Sequence, residues 1–141
     1  MKVLIACECS QTVCKEFRAL GHEAYSCDIE SCYGGHPEWH IQKDVLKILD
    51  YRSVSFFTQD GECHTVDKWD LIIAHPPCTY LSNAATRSHS LKGASLEDIN
   101  KRTEKRIQAQ EFFMKFANAN CERVAIENPV GVMNTVYRKP D

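Results

Sequence analysis

Apolar positions along the chain fall into short runs separated by polar turns, with two helical patterns between them. Lys2-Val3-Leu4-Ile5-Ala6-Cys7 is continuous and β-branched, the pattern of a strand covered on both faces. Ser10 is placed to cap a helix with Val13, Cys14, Phe17 and Leu20 on one face, and Gly21 is placed to end it. Glu23-Ala24-Tyr25-Ser26-Cys27 predicts a second strand, with Asp28 at its C-terminal end. Gly34-Gly35 and Pro37 make 31–39 a loop; a third strand is expected near His40-Ile41-Gln42, then Asp44 and a short helix from Val45 to Asp50. Asp60-Gly61 between β-prone arms predicts a hairpin inserted at about 52–67. Trp69 to Ala74 is the next apolar run, and it stops at His75-Pro76-Pro77-Cys78. A polar stretch at about 79–95 reads as a lid or binding loop. Ser95-x-x-Asp98 then predicts a capped helix to about Ala119 that buries Ala109, Phe112, Phe113 and Phe116. Arg123-Val124-Ala125-Ile126 predicts a last buried strand, which runs into Glu127-Asn128-Pro129-Val130-Gly131.

Strand, helix and strand in alternation predict an open α/β sheet in a single domain over 1–141, with its chemistry at the C-terminal edge of the strands. Asp28 and Asp44 both fall on that edge. Each reads either as a ligand contact, with Asp28 placed to hold ribose hydroxyls, or as a plain loop or cap residue. With 43% apolar and 26% charged residues, the 141-residue chain can bury an ordinary core, and no apolar stretch has the length of a membrane span. The net charge of −2 argues against a protein that simply coats nucleic acid. The one local basic segment, Arg87, His89, Lys92, Lys101, Arg102, Lys105 and Arg106, is either a phosphate-binding stretch or a solvated helix face balanced by Glu97, Asp98 and Glu104.

Eight cysteines in a chain with this periodicity are expected as reduced thiols in a cytoplasmic protein. Cys27-x4-Cys32-x3-His36-x3-His40 brings two thiols and two imidazoles into one span, but without the separated pairs of a zinc module. It reads as a loop of packed Cys and His rather than a metal site. Cys63-His64 lies on a hairpin arm, a poor place for a nucleophile and its base.

Cys78 has a different setting. Two prolines fix the backbone ahead of it, and neighbouring amides or a following helix would favour the thiolate. Glu127 ends the next strand, and a carboxyl buried enough to keep a proton near neutrality can bond a ring nitrogen. A thiolate and an acid together suit attack on a polarised heteroaromatic ring.

These residues carry a resemblance. Acidic strand ends, Pro76-Pro77-Cys78 and then Glu127-Asn128-Pro129-Val130 resemble the DNA cytosine-5 methyltransferases. His75-Pro76-Pro77-Cys78-Thr79-Tyr80-Leu81 with Ile126-Glu127-Asn128-Pro129-Val130-Gly131 more closely resembles the small phage and prophage proteins described as DNA cytosine methyltransferase-like. The resemblance runs over essentially the whole chain. It implies a Rossmann-like, three-layer methyltransferase sheet in a bacterial host cell, with S-adenosylmethionine as cofactor and DNA as partner through the Arg87–Arg106 region. Cys78 would add to cytosine C6, Glu127 would bind N3 and the amino edge, and Asn128 would complete that loop. Asp28 and Asp44 would contact ribose and adenine, with His75 and Pro76 on the cofactor side.

Cys7-Glu8-Cys9-Ser10-Gln11 departs from the family in lacking a glycine-rich pattern, and Glu8 is then the candidate partner for the cofactor's ammonium group. No separate target-recognition region is apparent. The phage proteins continue past the position of Asp141, which implies missing last strands and an open sheet edge for a second copy or another chain to cover. Two alternatives stay open: a methyltransferase-like module without catalysis that binds nucleotides or proteins, and an amino-methyltransferase, against which His75 and Cys78 stand at the first and fourth positions of its Pro-Pro loop.

Overall fold

The computed structural model describes residues 1–49, 53–83 and 93–141. Arg87, His89 and Lys92, the middle of the expected 79–95 loop, Asp50 and the lead into the hairpin at 52 lie outside the described residues. The chain folds into two compact units, Met1–His75 with Phe116–Ile126, and Pro76–Lys115 with Glu127–Asp141.

The first unit holds a mixed α/β fold around a parallel sheet. Its strands are β1 (Lys2–Ala6), β2 (Glu23–Asp28), β3 (His40–Gln42), β6 (Leu71–Ala74) and β7 (Val124–Ile126), in the order β3-β2-β1-β6-β7. Every pairing in it is parallel. β1 runs on to β2 and β3 on one side, and the chain then crosses to place β6 on the other side of β1. The strand order therefore reverses between β1 and β6, the place where open α/β sheets form their ligand crevice. This architecture is compatible with the Rossmann-like class.

Helix α1 (Thr12–Ala19) packs Val13, Cys14 and Phe17 with Val3, Ile5, Ala24, Trp39 and Leu71. Leu20, expected on that apolar face, is instead exposed, because it is the C-cap where the chain turns away. Gly21 takes φ +82, and the N–H groups of Gly21 and His22 bond the carbonyls of Arg18 and Phe17, a Schellman termination.

The expected hairpin is formed by β4 (Val54–Phe57) and β5 (Cys63–Val66), antiparallel across a turn with Gly61 at φ +92. Val54 and Phe56 turn inward and Ser55 and Phe57 outward, as a half-buried strand requires. Tyr25 of β2 holds the hairpin, with its ring edge-on to Phe56 at 5.0 Å and to Trp69 at 6.3 Å. His64 bonds the Tyr25 hydroxyl and Thr58, so it serves this packing.

Helix α2 (Leu96–Ala117) begins in the expected capping box: the Asp98 N–H bonds Ser95 Oγ at 3.1 Å, and Ser95 Oγ–H bonds the Asp98 carboxylate at 2.8 Å. Phe113 and Phe116 are buried, while Ala109 and Phe112 are half-buried. β7 corrects the expectation of a buried strand, since Ala125 is exposed and only β6 flanks it among the described residues. A short helix α3 (Met133–Val136) follows in the second unit, where Phe113 meets Tyr137 edge-on at 5.8 Å. No described helix is long and apolar enough to cross a membrane.

Candidate functional site

Two places collect the residues that the sequence singles out, and each is built differently. In the first unit, a cleft of about 330 Å³ opens at the reversal of strand order, lined by Cys7, Glu8, Cys9, Ser10, Thr12, Val13, Tyr33 and His75. The backbone N–H of His75 bonds the Ala6 carbonyl at 3.0 Å, so the ends of β1 and β6 form its floor.

The loop after β1 turns without glycine. Cys7 and Gln11 themselves adopt the left-handed conformation, at φ +60 and +61, at a cost of about 1–2 kcal/mol each. The tight approach that a glycine in this loop would allow is supplied from across the cleft. A Cβ on Gly34 would strike the Ser10 carbonyl and the Gln11 side chain. Gln11, fully buried, clamps the facing loop by donating from Nε2 to the His36 carbonyl at 2.7 Å and accepting the His36 N–H at 3.0 Å.

Glu8 rather than Ser10 caps α1. Its carboxylate accepts the N–H of Val13 at 2.6 Å and of Cys14 at 3.2 Å, which are orphan donors of the first helical turn. Ser10 contributes only a 3.4 Å bond from the Thr12 N–H. A helix N-terminus is ordinarily an anion site; with a buried carboxylate already on it, this one no longer attracts phosphate.

The two aspartates have backbone partners too. Asp28, at the end of β2, accepts the Glu30 N–H at 3.0 Å, and Asp44 caps a 3-10 turn (Val45–Lys47) by accepting the Leu46 N–H at 3.0 Å. Burial first, then the negative charge of Asp28 and Asp44, pushes the Cys7 thiol up to about 12. Burial and Glu8 raise Cys14 to about 11, and burial with Cys7 and Asp28 raises Cys27 as well. These thiols keep their protons at neutral pH and are not nucleophiles.

The Cys27, Cys32, His36, His40 span does not converge. His40 is buried between Ser26 Oγ and the Glu30 carbonyl, His36 pairs with Glu38 and stacks on Trp39, and Cys27 Sγ–H donates to the Lys43 carbonyl. Among the described residues no group of three or more potential metal ligands assembles.

In the second unit, Pro76 is buried, whereas Pro77, Cys78, Thr79 and Glu127 are exposed. The expected buried Glu127 is therefore corrected: the residue is exposed. The Cys78 carbonyl accepts the N–H groups of Leu81 at 2.9 Å and Ser82 at 3.1 Å, which closes a turn on the cysteine. Beyond it the Cys78 and Glu127 loops join. Ser82 and Gly131 form an antiparallel bridge, flanked by Asn83 N–H to the Val130 carbonyl at 3.0 Å and Val132 N–H to the Leu81 carbonyl at 2.9 Å. Asn128 holds its own loop by donating from Nδ2 to the Pro129 carbonyl at 3.0 Å. On α2, Lys105 lies over the Tyr80 ring at 5.6 Å, beside the half-buried Arg102 and Arg106.

Glu8 as a cap, Gln11 as a clamp and the bridge at Gly131 were not read from the sequence. Only Gly131 left a signal there, as a glycine inside a motif loop. No family model, curated protein or solved structure matches the chain.

Proposed function

We propose that this protein is an S-adenosylmethionine-dependent methyltransferase acting on cytosine in DNA, with Cys78 as nucleophile and Glu127 as the acid that holds the base. The observation that carries this reading is the joining of the Cys78 and Glu127 loops by backbone hydrogen bonds between Leu81–Asn83 and Val130–Val132. A thiol and a carboxyl that are both exposed, on loops tied to one another, suit a substrate too large to enter a closed pocket.

The cleft fits the cofactor by charge and position. It lies where the strand order reverses, and 330 Å³ is within the range of small-molecule sites. The Glu8 carboxylate on α1, with Asp28 and Asp44 beside Cys7, gives this edge a negative character that suits a ligand bearing sulfonium and ammonium groups and disfavours nucleoside phosphates. Glu8 would meet the ammonium group while capping α1, Tyr33 and His75 would wall the cleft, and Asp28 and Asp44 would face ribose and adenine. When bound, S-adenosylmethionine supplies an electrophilic methyl group.

The chain's own residues do the rest. Cys78 Sγ adds as thiolate to cytosine C6, while Glu127 donates a hydrogen bond at N3 and so draws the ring's electrons as C5 becomes nucleophilic. After methylation, loss of the C5 proton expels the thiolate and restores the ring. Because Glu127 is exposed, the flipped base would itself cover this side chain. Lys101, Arg102, Lys105 and Arg106 on α2 are the candidates for backbone phosphates. In this reading the parallel sheet is the methyltransferase variant of the Rossmann-like fold, with three layers.

Calorimetric titration with S-adenosylmethionine and transfer of labelled methyl to DNA test the proposal. Saturable binding and label on cytosine are expected. Binding without transfer would assign the chain to the non-catalytic module, and label on an exocyclic amino group would assign it to the amino-methyltransferases.

A further inference from the structure

We propose that Gly131 is a positioning residue, whose missing side chain holds the nucleophile loop and the base-binding loop in one register; this rests on the methyl-transfer reading above. Gly131 lies two residues past the Asn128-Pro129 pair, is buried, and is not among the residues of positive φ, so conformational freedom is not its role. Space is. A Cβ there would overlap the Leu81 carbonyl oxygen and press on the Leu81 carbonyl carbon and Ser82 Cα at 2.9 Å. All three are backbone atoms, which no rotamer change can move aside.

The approach matters because of what it joins. The Cys78 carbonyl takes the N–H groups of Leu81 and Ser82, the Leu81 carbonyl takes the Val132 N–H, and the Val130 carbonyl takes the Asn83 N–H. The Gly131 and Val132 carbonyls then receive the Asn134 and Val136 N–H groups of α3, whose Met133 is buried. A continuous backbone path thus runs from the cysteine to the loop that begins at Glu127, anchored at its far end by a packed helix. Addition of a thiolate to C6 while an acid bonds N3 of the same ring needs the two groups in fixed register, and a misplacement of about 1 Å costs about 10²-fold in rate. A Cβ at position 131 would push the loops apart by that order.

The test uses the full chain with S-adenosylmethionine and an oligonucleotide in which 5-fluorocytosine replaces cytosine, reading the rate of adduct formation at Cys78. Gly131→Ala is expected to slow the adduct about 10²-fold, to leave S-adenosylmethionine affinity within about twofold, and to speed hydrogen exchange at the Asn83 and Val132 amides. Val132→Pro, compatible with the φ of −55 at that position, removes the Val132 donor without adding a Cβ at 131 and should give the same slow adduct and unchanged cofactor affinity, with faster exchange read at the Asn83 amide, even if the alanine variant folds poorly. Unchanged adduct rates in variants whose amides exchange faster would overturn the proposal, as would unchanged exchange. If the parent protein forms no adduct, the methyl-transfer reading and the positioning role both fall, whereas a working parent with insensitive variants removes the positioning role alone.

Discussion

The loop after β1 and the paired loops after β6 and β7 hold their side chains in opposite ways. In the first, polar side chains do the holding: Glu8 caps α1, Gln11 clamps the His36 backbone, and Asp28 and Asp44 each accept a backbone N–H. In the second, backbone groups do the holding, and Cys78 and Glu127 are left exposed. Residue identity is therefore a weaker guide to chemistry in the first region, where each acid is tied to backbone N–H groups, than in the second, where Cys78 and Glu127 are exposed.

Substitutions should separate the two regions. Cys78→Ser is expected to abolish methyl transfer by at least about 10³-fold while leaving the unfolding midpoint in urea unchanged, as for other exposed positions. Transfer that survives the substitution would remove the covalent mechanism. Glu8→Ala, unlike Cys78→Ser, should lower stability, by about 2 kcal/mol, because two N–H groups at the start of α1 lose their acceptor, and should weaken S-adenosylmethionine binding as well. Glu8→Gln should cost less, since one oxygen still accepts. An alanine variant as stable as the parent would show that the cap is dispensable.

The smallest effect concerns pH. Burial raises the Cys7 and Cys14 thiols in the folded chain to about 12 and about 11, from an ordinary value of 9.0. The unfolded chain thus releases these protons first, and their stabilising contribution is complete below pH about 9 and lost as pH climbs toward the folded values. The urea midpoint should fall progressively above pH about 9, and Cys14→Ala should flatten that fall. A midpoint that rises over this range would contradict the assignment.

The fold was legible where periodicity and punctuation govern it. β1, α1 with its Gly21 terminator, the Asp60-Gly61 hairpin, and the Ser95 capping box all follow from local pattern. β7 reads as buried from sequence but is not, because an apolar triplet looks alike at the centre and the edge of a sheet. Ser10 was a reasonable cap by residue type, but the left-handed turns at Cys7 and Gln11 carry Glu8 into that role, and φ values of this kind leave no trace in a glycine-free loop. Gly34 and Gly131 serve close approaches to residues more than twenty positions away, which no local window detects. Cys78 and Glu127 are candidates from two sequence motifs alone; the backbone bonds that tie their loops together leave no such motif.

Cys78 is proposed to attack cytosine. Intact-mass and peptide analysis of the protein after incubation with S-adenosylmethionine and 5-fluorocytosine DNA tests it most directly. A covalent protein–DNA adduct mapped to Cys78, and absent when the methyl donor is omitted, is the predicted result; its absence from folded protein that binds both ligands would contradict the account.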